Sequence, residues 1–370
     1  MRIRQITLYH VRIPMVVPFS TSFGDMYEKE CVIVELKDEE GISGYGELEA
    51  FPLPDYIEEF LVAAKFIIEK VMLPQMNSWE FSHPSEFQSR FSWIRGNEMA
   101  KAAVEAGLWD IYAKKTNRSL QETLGGEGKF LDVGVSLGIQ KNPAELVARV
   151  KDCIGQGYKR IKVKIKPDHD IAYIAAVREA FPEVLLMADA NSAYTSADFD
   201  RLKELDRFQL TMIEQPFSIR DFTLHARLQK QIQTLVCLDE NIRSVEDVEQ
   251  AYQMKSCRAI NLKMARVGGH TEALKIVDFC AKNGLLVWCG GMLEAGIGRA
   301  HNLALASRKE FGFPGDISAT DRYFNEDIIE EEFKLKNGRL AVPQKTGIGV
   351  EISKKKIEKF IDSKQVIKLG

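Results

Sequence analysis

The chain has 370 residues, 45% of them hydrophobic and 28% charged, with a formal net charge of −3. That length suits a barrel with a smaller partner domain, and the composition is that of a globular protein. Near-neutral charge gives no electrostatic footing for nucleic acid or an anionic membrane, and no apolar run approaches the ~18 residues of a membrane span.

The N-terminus, Met1-Arg-Ile-Arg-Gln5, leads straight into a strand pattern and lacks the apolar core of a signal peptide. Cys31, Cys153, Cys237, Cys257, Cys280 and Cys289 show no CxxC and no paired spacing, so a reduced cytoplasm is expected rather than a disulfide framework. Cys237 and Cys289 lie inside strand-like runs and read as small buried hydrophobes. The histidines have no zinc-ligand spacing.

Residues 2–13 and 31–37 alternate as strands, with Asp38–Gly41 as a turn before the run Gly44–Glu49. Helical spacing follows at Ile57, Leu61, Ala64 and Ile68, and again at Ala100, Val104, Leu108 and Ile111. Residues 1–125 therefore read as an α+β domain, closed by Gly125-Gly-Glu-Gly128.

From Val133–Leu137 a βα rhythm takes over. Apolar runs recur at Arg160–Ile165, Leu185–Ala190, Leu210–Gln215, Leu235–Glu240, Ala259–Met264 and Leu285–Cys289, and a short eighth strand is expected near Asp316–Ser318. Ser244 with Asp247 predicts a helix start, and Asn283-Gly284 a helix stop. This is the pattern of a (β/α)₈-type barrel over residues 126–330. Beyond it, Lys334–Lys336 and Arg339–Val342 flank Asn337-Gly338, a hairpin signal, and residues 331–370 are expected to pack back on the first domain.

Lys164, Asp189, Glu214, Asp239 and Lys263 stand at intervals of 25, 25, 25 and 24 residues, each at or near the end of one apolar run. Polar residues ending successive parallel strands are how a barrel builds an active site. Strands two and six are opposite in an eight-membered ring, so the spacing predicts Lys164 and Lys263 facing each other, with three carboxylates along the arc between them. Parity places Lys162 with Lys164, Asn191 with Asp189, and Asn261 with Lys263. Lys166, before Pro167, and Glu240, of opposite parity to Asp239, read as structural.

Three converging carboxylates repel unless a cation sits among them, and an all-oxygen set favours Mg²⁺, with Mn²⁺ as an alternative. Such an ion would stabilise the enediolate formed when a proton leaves beside a carboxylate. The base would be a lysine, whose ordinary pKa of ~10.4 must fall to ~7.4, at roughly 4 kcal/mol. A Lys162 charge ~6.8 Å away supplies roughly 2.4 kcal/mol at an effective dielectric of ~20.

Lys162-Val-Lys164, Asp189-Ala-Asn191, Ile213-Glu-Gln-Pro216, Leu238-Asp-Glu240 and Asn261-Leu-Lys263 resemble the strand-end motifs of the enolase superfamily, muconate-lactonizing subgroup. Within it, Val287–Arg299 and Phe313–Arg322 resemble the o-succinylbenzoate synthase/N-succinylamino acid racemase family. The resemblance implies Asp189, Glu214 and Asp239 as Mg²⁺ ligands and Lys164 as the base that then assists hydroxide departure. It implies that Lys263 stabilises the enediolate, or acts as second acid/base in racemisation.

It further implies that Ser136, Asn191, Gly291 and Met292 line the substrate pocket. Phe19 and Phe23, and Phe51, fall in segments that resemble specificity loops of the capping domain. Arg266 matches an arginine of the racemising members. The substrate would be a small-molecule carboxylate, and relatives are often homo-oligomers. Asp316-Ile-Ser318 stands where dipeptide epimerases carry Asp-x-Asp, which counts against that activity. A dedicated N-acylamino acid racemase, another cycloisomerase or epimerase, and a silent barrel scaffold remain the competing expectations.

Overall fold

The computed structural model describes residues 1–20 and 24–370. Its N-terminal part is an antiparallel sheet of β1 (Ile3–Ser20), β2 (Asp25–Asp38) and β3 (Ser43–Leu48). Both faces of this sheet are buried. Ile6, Leu8, Val32, Val34 and Leu36 pack with Ala100, Val104, Leu108 and Ile111 of the helix Glu98–Lys115. The alternate residues Tyr9, Val11, Ile13, Cys31 and Ile33 join the core shared with the barrel. Gly44 and Gly46 let that helix lie directly on β3, because a Cβ there would come within 2.1 Å of Gly107 O and 2.0 Å of Ala103 O.

After the short β4 (Phe130–Asp132), seven parallel strands run in sequence order around the barrel. They are β5 (Gly134–Leu137), β6 (Arg160–Lys164), β7 (Leu186–Asp189), β8 (Met212–Glu214), β9 (Leu235–Leu238), β10 (Ala259–Leu262) and β11 (Leu286–Cys289). The eighth position is taken by Gly315–Asp316. Gly134 N–H donates to Gly315 O (2.8 Å) and Asp316 N–H donates to Cys289 O (2.9 Å), joining β5 to β11. The strand expected at Asp316–Ser318 is therefore a two-residue bridge, too short for a ladder. Inside the barrel, Met187, Met212, Cys237, Ala259 and Trp288 form an apolar floor.

The predicted helix start and stop are present: Ser244 and Asp247 form a reciprocal cap, and Gly284 ends the helix His270–Asn283 with φ 67°. Two expectations need correction. Ile57 lies outside the helix, which begins at Leu61 after the extended Phe60. Asn337-Gly338 does turn the chain, with φ of 52° and 73°, but the following strand β12 (Arg339–Ala341) pairs with β4 instead of with Lys334–Lys336 as a full hairpin. The last strand, β13 (Ile361–Lys368), pairs with β1, so the C-terminal segment completes the capping sheet. All six cysteines are buried and free. No helix among the described residues is long and apolar enough to cross a membrane.

Candidate active site

Strand alternation brings the spaced residues to one end of the barrel. Asp189, Glu214 and Asp239 sit on or just after β7, β8 and β9, at most 1% exposed. Buried carboxylates need partners, and here they are cations. Lys162 Nζ lies 3.0 Å from both Asp189 Oδ2 and Glu214 Oε2, while Lys164 Nζ is 2.7 Å from Asp189 Oδ2. Lys263 Nζ donates to Asp239 Oδ2 (2.9 Å), whose other oxygen accepts from Arg266. Asn261 Nδ2 donates to Glu214 Oε1 (2.7 Å).

The charges reshape one another. Burial opposes ionisation of Lys162 and Lys263, yet Asp189, Asp316 and Glu214 hold Lys162, and Asp239 holds Lys263, above the ordinary lysine range. Burial and the neighbouring charge of Asp189 push the Glu214 carboxyl up to about 8, with Asp239 adding to it. The Lys162 charge is thus shared among three carboxylates.

Lys162, Lys164 and Lys263 line a single cavity under the cap, together with Ser136, Asn191, Gly291, Met292, Phe19 and Phe51. Phe23 lies outside the described residues. Arg266 departs from the expectation of a substrate-binding group. It is 1% exposed, does not line the cavity, and donates to Ile242 O, Asn261 O, Tyr56 Oη and Asp239. Arg266 follows Lys263 through a tight turn that folds it behind the lysine, with its own N–H on Lys263 O at 3.0 Å.

Several site residues escaped the sequence reading. Tyr56, from the cap, accepts from Lys263 Nζ (2.8 Å) and Arg266 (2.9 Å). Asp316, expected on the eighth strand but given no role in the site, pairs with Arg160 and Lys162 at 2.6 Å each and accepts from Ser136 Oγ at 2.9 Å. Glu240, read as structural, accepts from Asn191 Nδ2 at 2.8 Å, and burial with the Asp239 charge pushes it up to about 7. Tyr56 follows no period, whereas Asp316 bears the one signal available, an acid at the eighth strand position.

Backbone strain gathers at the same end. Asn191, Ser192, Gln215 and Leu293 all have positive φ, between 40° and 64°. For Leu293, which lines the cavity, the left-handed conformation costs about 1–2 kcal/mol and persists only where surroundings enforce it. Gly291 is required there, since a Cβ would lie 2.5 Å from Asp316 O.

Among the described residues no three His, Cys, Asp or Glu side chains are grouped as a metal cage; ammonium and guanidinium groups engage the carboxylate oxygens. The donor set nevertheless fits a hard divalent cation. Three buried carboxylates come from adjacent strands, and the upward push on Glu214 comes first from burial and then from the charges of Asp189 and Asp239. A doubly charged ion held there would offset the repulsion among those charges.

Barrel, roof and cavity together define the class: this is an enolase-type enzyme. Residues 3–125 match the family described as mandelate racemase/muconate lactonizing enzyme, N-terminal domain, and residues 145–356 match enolase C-terminal domain-like. The chain belongs to this mandelate racemase/muconate lactonizing enzyme family of the enolase superfamily, whose members generally use a divalent metal.

It is 55% identical over 370 residues to an o-succinylbenzoate synthase of Listeria innocua, covering 100% of this chain and 99% of that one. An N-succinylamino acid racemase of Thermus thermophilus is 42% identical, with 95% of each chain covered. A crystal structure of an enolase-superfamily member from Listeria innocua superposes with a TM-score of 0.98 at 55% identity, over the full length of both chains.

Proposed function

We propose that the enzyme is a Mg²⁺-dependent o-succinylbenzoate synthase. It removes water from a succinyl-substituted hydroxycyclohexadiene carboxylate to give the aromatic product, a step of menaquinone synthesis in the cytoplasm. The opening of Lys164 and Lys263 into one cavity beside three carboxylates carries the reading. The names of relatives 43–55% identical to the chain support it.

In this reading Lys164, as the neutral amine, takes the proton next to the substrate carboxylate, and the C–H electron pair passes into an enediolate. The resulting ammonium returns the proton to the departing hydroxyl as its C–O bond breaks. Water leaves from the face on which the proton was removed, and the ring becomes aromatic. Lys263, kept charged by Asp239, stabilises the negative charge as it develops. Asp189, Glu214 and Asp239 would hold Mg²⁺, or Mn²⁺ in its place, which would supply electrophilic stabilisation to the substrate carboxylate. Ser136, Asn191, Gly291, Met292, Phe19 and Phe51 shape the pocket for the succinyl-bearing ring, and Arg266 with Lys162 fixes the ionic frame.

The presence of Lys263 in the same cavity favours racemisation of N-succinylamino acids as a second activity, with Lys263 serving the opposite face. The test mixes protein, Mg²⁺ and the cyclohexadiene, and follows aromatisation optically with Lys164→Ala as control. Lys164-dependent conversion is the expected result. Negligible conversion by a Mg²⁺-binding protein rejects the substrate and leaves racemisation as the leading activity.

A further inference from the structure

The cavity wall formed by Met292 and Leu293 is held from both sides. Met292 N–H donates to Glu294 Oε1 at 2.5 Å, and Asn302 Nδ2 donates to the same oxygen at 2.8 Å. From the cap, Lys29 on β2 reaches across and donates to Met292 O at 2.9 Å. The next residue is the left-handed Leu293. Two backbone groups of Met292, one tied to the barrel and one to the cap, thus fix the conformation that turns Leu293 into the cavity.

Lys29 is itself constrained. It is 2% exposed, its Nζ lies 5.7 Å from the ring centroid of Phe51, another cavity residue, and its charge acts on the buried Glu47 and Glu49. Glu47 in turn accepts from Ala295 N–H (3.0 Å) and Gly298 N–H (2.9 Å), at the start of the helix Gly296–Ala306. The segment 292–298 is therefore bolted to β2 and β3 of the cap at both of its ends.

We propose that Lys29 is a positioning residue for substrate specificity: through the carbonyl of Met292 it holds the strained Leu293 wall of the pocket. The proposal rests on the dehydratase reading above. Lys29 touches no reacting atom, so its removal alters the shape offered to the substrate while the Lys164 chemistry stays in place. That separates KM from kcat.

The test compares Lys29→Met, Lys29→Arg, Leu293→Gly and the double variant Lys29→Met/Leu293→Gly in the full-length Mg²⁺-loaded enzyme. The measurements are KM and kcat for the cyclohexadiene, and the Kd of o-succinylbenzoate, whose binding needs no turnover. Lys29→Met is expected to raise KM and Kd about tenfold with kcat within about threefold, and Lys29→Arg, which keeps the donor, to remain near wild type. With the wall already relaxed by Leu293→Gly, adding Lys29→Met is expected to change KM by less than about threefold.

Values for Lys29→Met within about twofold of an active wild type, or a full multiplicative effect on the Leu293→Gly background, overturn the role of Lys29. If Lys29→Met does not fold, Leu293→Gly alone decides. It leaves the buried ion cluster intact, and an unchanged KM overturns the wall as a specificity element. A wild type that neither converts the cyclohexadiene nor binds o-succinylbenzoate overturns the dehydratase reading, and this proposal with it.

Discussion

Two layers of the barrel interior differ in chemistry although the same strands build them. Met187, Met212 and Cys237 belong to the dry floor. Two residues further along each strand stand Asp189, Glu214 and Asp239, in a layer of charges and amides. One pleat, ~6.8 Å, separates them. The floor is filled mainly by dispersion, and the only charges that approach it among the described residues, Arg160 and Lys162, lie against its Trp288 ring, each 5.1 Å from the centroid. The upper layer is fully polar, and each charge depends on its neighbours for compensation. A barrel strand can thus carry stability at one inward position and chemistry at the next.

The comparison is broken most sharply by single substitutions in each layer. Lys164→Ala, in the upper layer, is expected to lower kcat roughly 10⁴-fold while the protein still melts cooperatively and responds to Mg²⁺. Met212→Ala, in the floor, is expected to destabilise by about 2–5 kcal/mol, seen as a lower denaturant midpoint with an unchanged slope. If Met212→Ala instead abolished turnover in the folded protein, the division between the layers would fail.

Metal linkage gives a smaller effect. At 100 times its Kd, Mg²⁺ should stabilise the wild type by about 2.7 kcal/mol. Asp239→Asn should lose most of that, as read by thermal melting with and without the ion. The pH dependence is smaller still. Burial and the Asp189 charge push the Glu214 carboxyl up to about 8 in the folded protein, from an ordinary value of 4.5. The folded state therefore holds the extra proton between those values, and metal-free stability falls as pH rises through the window. The ion requires the carboxylate, so its stabilising effect should grow from pH 6 to 8, by up to ~1.4 kcal/mol per pH step. A flat response would separate Glu214 from the ligand set.

Much of the upper layer was legible because two periodicities coincide there: two residues along a strand, and about 25 from one βα unit to the next. Lys164, Asp189, Glu214, Asp239 and Lys263 are recoverable from arithmetic alone, and parity adds Lys162, Asn191 and Asn261. Tyr56 obeys neither period, since it enters from the cap, and only tertiary contact joins it to Lys263. Arg266 shows a different limit. Its distance from Lys263 along the chain is right for a rim cation, but a tight turn carries it inward, where Asp239 and Tyr56 compensate its charge.

Glu240 illustrates that parity predicts direction better than partnership, because the flexible amide of Asn191 reaches it anyway. The eighth strand was legible in place and not in length, since two backbone hydrogen bonds at Gly315–Asp316 suffice to close the ring. Ile57 had helical spacing, yet the chain remains in turns until Leu61, where the packing face of the cap begins.

The pairing of β1 with β13 sets Gln5 opposite Lys368. A ribosome working at ~5–20 residues per second needs on the order of half a minute to traverse that separation. Throughout that interval one edge of β1 faces solvent unpaired, beside a growing chain rich in other strands. Newly made molecules therefore pass through a stage in which the barrel can organise while its roof still offers an open edge to neighbours. Aggregation during synthesis, more than unfolding afterwards, is where a weak substitution in β1 or β13 would first show.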